Sequence, residues 1–131
     1  MRFVDSSFWI ALQSARDPNH EAADALAKQG LGPIITTNHV MSETWTFMRR
    51  WSGHAGAVEA LRLVRSVPTL TVLHVDPEVE QDAWRWLNRR DEREYSFVDA
   101  TSFALMRRRR MREALAFDGD FSAAGFVEVR P

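Results

Sequence analysis

Asp5, Glu43, Asp99, Asp118 and Asp120 are the side chains whose types and placement suggest chemistry. Asp5 ends a short apolar run, Arg2-Phe3-Val4, and is followed by Ser6-Ser7-Phe8-Trp9, a strand turning into a helix. Asp118 and Asp120 flank Gly119 after a second apolar run, Ala114-Leu115-Ala116-Phe117. Acids gathered from strand ends and nearby helix starts suit divalent magnesium or manganese, which take oxygen ligands and keep several waters. Such ions stabilise charge developing on phosphoryl oxygens and lower the pKa of an attacking water. In an open parallel sheet, ligands bind beyond the carboxyl ends of the strands, where Asp5 is expected.

Each acid also has a plainer reading. Asp5 could cap the following helix, although Ser6 or Ser7 would serve as well. Glu43 could be a surface acid on an imperfect stripe of Val40, Thr44, Phe47, Met48 and Trp51, though at the border of that stripe a carboxylate is costly unless paired. Ser96-x-x-Asp99 reads as a capping box with the shorter acid, which leaves a second role open because a helix start also orients a ligand. Asp118-Gly119-Asp120 could be an ordinary turn. Ser6, Ser7, Thr36, Thr37, Thr44, Thr101 and Ser102 lie beside the acids and could hydrogen-bond them or metal-bound water.

The positioning elements alternate. Strands are expected at Phe3-Val4, Ile34–Thr37, Leu70–Val75, Glu113–Phe117 and, as an edge, Phe126–Val129. Between them, Asn19 is expected to cap a helix that ends at Gly30, and Asn38 the next. Ser52-Gly53-His54-Ala55-Gly56 breaks that helix from one carrying Val58, Leu61 and Val64. Asp76-Pro77-Glu78 is a strong helix start, with Val79, Ala83, Trp84 and Leu87 on its buried side. Asn88 to Glu94 is a charged loop, and the helix from Ser96 is apolar almost all round, hence buried. This alternation predicts an α/β fold, a three-layer α/β/α sandwich around a mainly parallel sheet, as one domain over 1–131.

Length and composition are compatible with that reading. A chain of 131 residues fits one sizeable core. It has no cysteine, which excludes disulfides, iron–sulfur clusters and thiolate zinc sites. No run is apolar enough to span a bilayer and no signal peptide is evident, so a cytoplasmic location is expected. Net charge is −1, which argues neither for nor against a polyanionic partner. Cations are almost all arginine, concentrated at Arg107 to Arg110, and suited either to phosphate contacts or to a solvated helix end. The histidines His20, His39, His54 and His74 lack ligand spacing, though His39 follows a strand end. Trp45, Trp51, Trp84 and Trp86 are expected in the core or a subunit interface.

Four segments together resemble the PIN-domain family, specifically the VapC-type ribonuclease toxins of bacterial toxin–antitoxin pairs. They are Phe3 to Trp9, Thr36-Thr37-Asn38 through Glu43-Thr44, Ser96 to Phe103, and Leu115 to Phe121, in the family's order. The resemblance implies a magnesium- or manganese-dependent endoribonuclease, a homodimer, and a small antitoxin filling the active-site groove. Asp5, Glu43 and Asp99 would be the first three acids, Asp118 the fourth, and Asp120 an additional acid at the same rim. Single-stranded or looped RNA would be the substrate. Family members often carry Ser or Thr two residues before the fourth acid, where this chain has Ala116. An aspartyl-nucleophile phosphatase is a weaker alternative, because Ser7 stands where a second Asp is usual. A non-catalytic binding module on the same fold is the other.

Overall fold

The sheet is wholly parallel and ordered β3-β2-β1-β4-β5. A computed structural model describes all residues, 1–131. The strands are β1 (Arg2–Val4), β2 (Ile34–Thr37), β3 (Leu70–Leu73), β4 (Glu113–Leu115) and β5 (Val127–Glu128). The helices are α1 (Ser6–Gln13), α2 (His20–Gln29), α3 (Asn38–Arg65), α4 (Pro77–Leu87), α5 (Phe97–Arg108) and α6 (Asp120–Ala123). Phe3 pairs with Ile35 on one side and Ala114 on the other, so β1 is central. Its side chains are buried on both faces, which explains why so short an apolar run is a stable strand.

The chain moves from β1 through β2 to β3 in one direction and then returns to β4 beyond β1. Right-handed crossovers therefore put α1, α2 and α3 on one face and α4 and α5 on the other. α1 packs on α2 and α3, and α4 on α5. The expected α/β/α sandwich is present, and the strand order reverses between β1 and β4. That reversal opens a crevice at the carboxyl ends of those two strands.

On the α4–α5 face Phe103 is the hub. Its ring lies 4.9 Å from Phe121, 5.1 Å from Trp86 and 5.6 Å from Phe126. These aromatic contacts dock α4, the short α6 and the approach to β5 against α5. The helix from Ser96 is buried as expected, from Asp99 to Met106.

Several local expectations shift. Thr37, not Asn38, caps α3: its hydroxyl accepts the Val40 amide at 3.1 Å. Asn38 instead accepts the Val75 amide at 2.9 Å and holds the end of β3. Asn19 makes no side-chain cap; its own amide donates to Asp17. The five-residue break expected after Trp51 contracts to one residue. Gly53 takes φ 75° and ψ −179°, a kink available to glycine, and the helix resumes at once. The stripe on α3 is also narrower than expected. Val40, Thr44 and Met48 are buried, but Phe47 and Trp51 are exposed, Trp51 by 70%. On α4, Trp84 is likewise exposed and stacks on Phe97 at 4.2 Å. Helical spacing marks the core-facing side, but residues at its borders are decided by where neighbouring helices end.

Candidate metal centre

Asp5 leaves β1 at the reversal point, its amide donating to the Leu115 carbonyl at 3.1 Å. It is the N-cap of α1, and its Oδ2 accepts the Ser7 amide at 3.1 Å and the Ser7 hydroxyl at 2.6 Å. Ser7 Oγ in turn accepts the Phe117 amide at 3.0 Å. One hydroxyl thus ties the end of β1 to the end of β4. Ala116 contributes no hydroxyl to this junction; its side chain is buried and its carbonyl accepts from Arg130 at 2.8 Å.

Asp99 arrives from the other face of the sheet. The capping box is complete: Asp99 accepts the Ser96 amide at 3.0 Å, and its own amide donates to Ser96 Oγ at 3.0 Å. The cap orients the carboxylate through Oδ2 and leaves Oδ1 without a protein donor. Asp118 follows β4 and its Oδ1 accepts the Asp120 amide at 3.0 Å. Each of the three acids therefore has one oxygen held by an amide or hydroxyl of the protein.

Ligand oxygens of Asp5, Asp99 and Asp118 all lie within 4.8 Å of one another. Asp5 and Asp99 are buried and Asp118 stands at the exposed rim. Glu43 lies outside this tight triad but faces it from α3, held by the Ser6 hydroxyl. Asp120 also reaches the rim, yet its carboxylate is taken by Arg93 Nε at 2.7 Å.

Burial and mutual repulsion act together on these groups. Loss of water raises Asp5 well above the usual carboxylate range; Asp118, Glu43 and Asp99 push it further, against the pull of Ser7. Asp99 is raised to about 7, by burial first and against the Ser96 amide, with the charges of Asp118, Asp120 and Glu43 adding. Glu43 is raised by burial and by Asp118, partly offset by Ser6. Asp118 is raised by desolvation, partly reversed by the Asp120 amide, raised again by Asp120 and Glu128, and eased by a hydrogen bond with the Asp5 carboxyl. Without a cation, these acids cannot all be ionised cheaply at neutral pH.

Asp5 Oδ1 is buried and has no hydrogen-bond partner. An orphaned buried carboxylate oxygen within a cluster of three carboxylates is what a hard divalent cation fits, and the donor set is all oxygen. The surroundings are open to a large substrate. A groove of about 630 Å³ lined by Glu43, His39, Phe47, Arg50 and Trp51 lies on one side. A smaller one of about 210 Å³ holds Ser7, Phe117 and Asp118, and Phe47 lines both.

Two contributors escaped the sequence reading. Arg93, from the charged loop, also donates to the Asp118 carbonyl at 3.2 Å. Glu128 on β5 accepts the amides of Gly119 at 3.3 Å and Ser122 at 3.0 Å, fixing the turn that carries Asp118. Loop and edge-strand charges have no periodicity to single them out.

The PIN domain model matches residues 2–127. The 23S rRNA-specific endonuclease VapC20 of Mycobacterium tuberculosis (strain ATCC 25618 / H37Rv) is 54% identical over 131 residues, covering 100% of this chain and 99% of that protein. A crystal structure of M. tuberculosis VapC20, described as a Sarcin-Ricin loop cleaving toxin, superposes with a TM-score of 0.93 at 53% identity over 100% of both chains. A toxin–antitoxin complex from Klebsiella pneumoniae shares the fold, with a TM-score of 0.66 at 14% identity over 98% of this chain and 100% of that one. With the sheet order, the carboxylate triad and full-length similarity in agreement, the chain belongs to the PIN-domain family, among its VapC-type ribonuclease toxins.

Proposed function

We propose that this chain is a magnesium- or manganese-dependent endoribonuclease that cuts 23S rRNA, the toxin of a toxin–antitoxin pair. The observation that carries the reading is the triad of carboxylates within 4.8 Å, containing an unpartnered buried oxygen of Asp5. Identity of 54% over the whole chain to a 23S rRNA-specific endonuclease supports the substrate.

Asp5, Asp99 and Asp118 are the residues that would hold the ion. When bound, the cation supplies charge stabilisation at the phosphoryl oxygens and acidifies the attacking water. The chain's own groups do the remaining work. Ser7 and Ser96 orient Asp5 and Asp99, and the Asp120 amide orients Asp118. Glu43 is fixed through Oε1 by Ser6, and its raised pKa suits Oε2 to take the proton of the attacking water. The water oxygen bonds to phosphorus as its proton passes to Glu43, the bond to the 3′ oxygen breaks, and that oxygen takes a proton from solvent, to which Glu43 returns the one it received. The products are a 5′-phosphate and a 3′-hydroxyl. We assign Asp120 to the rim as support for Asp118, because its carboxylate is engaged by Arg93.

The same reading has the chain act in the cytoplasm as a homodimer, with a small antitoxin covering the groove beside Glu43. The test is to treat purified ribosomes with the protein in magnesium, in manganese and in EDTA, and to map the 23S rRNA ends. Discrete metal-dependent cuts bearing 5′-phosphates are expected. Cuts that persist in EDTA, or intact 23S rRNA alongside cleaved unrelated RNA, would sink the metal or the substrate assignment respectively.

A further inference from the structure

Away from the carboxylates, α4, the following loop and the end of α5 enclose a groove of about 380 Å³ whose lining includes Arg85, Arg89, Arg90 and Arg107. One carboxylate, Asp82, is present, and it is already shared by Arg108 at 2.6 Å and Arg85 at 3.4 Å. Arg90 has a loose pairing with Glu92 at 3.6 Å. Arg89 and Arg107 have no carboxylate within 4.0 Å.

Arg90 and Arg107 are moreover drawn to the same indole. Their guanidinium carbons lie 5.3 and 5.4 Å from the Trp86 ring, and Arg107 is also 5.3 Å from the Phe126 ring. Stacking orients both planar cations; Arg107 spends one N–H on the Ala124 carbonyl at 3.4 Å, and the remaining N–H groups are left for a ligand. Burial and the neighbouring Arg90 both disfavour the charge on Arg107, lowering its pKa. Two immobilised cations with so little counter-charge call for an anion.

The groove shares a helix with the metal centre. Asp99 and Arg107 share α5, separated by a little over two turns, about 12 Å along the axis. Arg93, in the loop that closes the groove, already touches Asp118 and Asp120.

We propose that Arg93, Arg90, Arg89 and Arg107 form a cationic track that binds the phosphodiester backbone of the RNA beyond the cleavage site. It rests on the nuclease reading above. The track reads charge and spacing, not base identity, so it strengthens binding of long RNA irrespective of sequence. RNA is favoured over an acidic polypeptide because the track begins at the carboxylates that receive the scissile phosphate.

The test uses the full chain in an Asp5→Asn background, so that RNA is bound and not cut. Binding of a fluorescein-labelled single-stranded RNA is measured across a salt series. Arg89→Ala/Arg90→Ala should weaken binding roughly 10–30-fold at low salt and reduce the slope of log K against log salt by about 1.4, near 0.7 per lost contact. Arg107→Lys, which keeps the charge but loses the stack, should fall between that variant and the parent. Lys28→Ala, a lost cation on α2, should leave the slope unchanged. In the cleaving protein, the advantage of long RNA over a dinucleotide should shrink in the double variant. An unchanged slope and affinity, with matching thermal stability, would overturn the track while leaving the nuclease reading intact. Loss of poly-glutamate binding with unaltered RNA affinity would overturn it in favour of a protein partner. Failure of the wild-type chain to cut any RNA would overturn the nuclease reading and the track with it.

Discussion

Replacing Asp99 by Asn should stabilise the metal-free protein at neutral pH while abolishing cleavage. Asp99 is 6% exposed and its folded pKa is about 7, against a reference of 3.8. Between those two values the native state binds more protons than the unfolded state, so stability falls as pH rises. The difference of about 3.2 units, at 1.36 kcal/mol each, amounts to about 4 kcal/mol lost between roughly pH 4 and pH 7. Asn is neutral throughout, and its side-chain carbonyl can still accept the Ser96 amide. Allowing about 1 kcal/mol for a weaker cap leaves a net gain of about 3 kcal/mol at pH 7.5. For a chain of this size that corresponds to roughly 10 °C in Tm. Thermal unfolding in EDTA at pH 4 and pH 7.5, for wild type and variant, reads it directly. The two proteins should nearly coincide at pH 4 and separate at pH 7.5. Saturating divalent ion at about 100 Kd should restore about 2.7 kcal/mol to the wild type and much less to the variant. A variant less stable than wild type at both pH values would refute the reasoning.

Ser7→Ala removes the link between Asp5 and the Phe117 amide; it should cost about 1–2 kcal/mol in urea unfolding. It should also weaken metal binding roughly 10–100-fold, as removal of such supports does. Asp118→Asn should weaken metal binding far more than Asp120→Asn, whose partly exposed ion pair with Arg93 is worth at most about 1 kcal/mol. Equal losses in a direct metal titration would make Asp120 a ligand in its own right. Gly53→Ala meets no atom within 4 Å, so its effect is purely of backbone conformation at φ +75°. A loss of about 1–3 kcal/mol is expected in the urea midpoint; none would mean the kink relaxes freely.

Much of this arrangement was legible before any coordinates. Strand-then-acid at Asp5 and at Asp118 placed both at a sheet rim, and Ser96-x-x-Asp99 correctly announced the cap that aims Asp99. Local signals of this kind involve residues a few positions apart, whose geometry the backbone dictates. What stayed hidden depends on distant partners. Asp120 is expected as an additional acid at the rim, and nothing in the sequence shows that Arg93, 27 residues away, engages its carboxylate. The tie between Ser7 and the Phe117 amide, 110 positions apart, has no local signal either. Phe47 and Trp51 fit a helical stripe but fall beyond the edge of the packing surface, beside the groove that Glu43 shares. The Arg run divides in the same way: Arg108 is consumed by Glu78 and Asp82, whereas Arg107 stacks on aromatic rings and lacks a counter-ion.

The most direct measurement is calorimetric titration of manganese into the protein at pH 6.5, repeated in buffers of different ionisation enthalpy and with Asp5→Asn. Because burial and repulsion keep protons on this cluster, binding should be saturable and should release protons to the buffer. Asp5→Asn should lose the binding while remaining folded. Absence of saturable binding, or equal binding by the variant without proton release, would contradict a metal centre built on Asp5, Asp99 and Asp118.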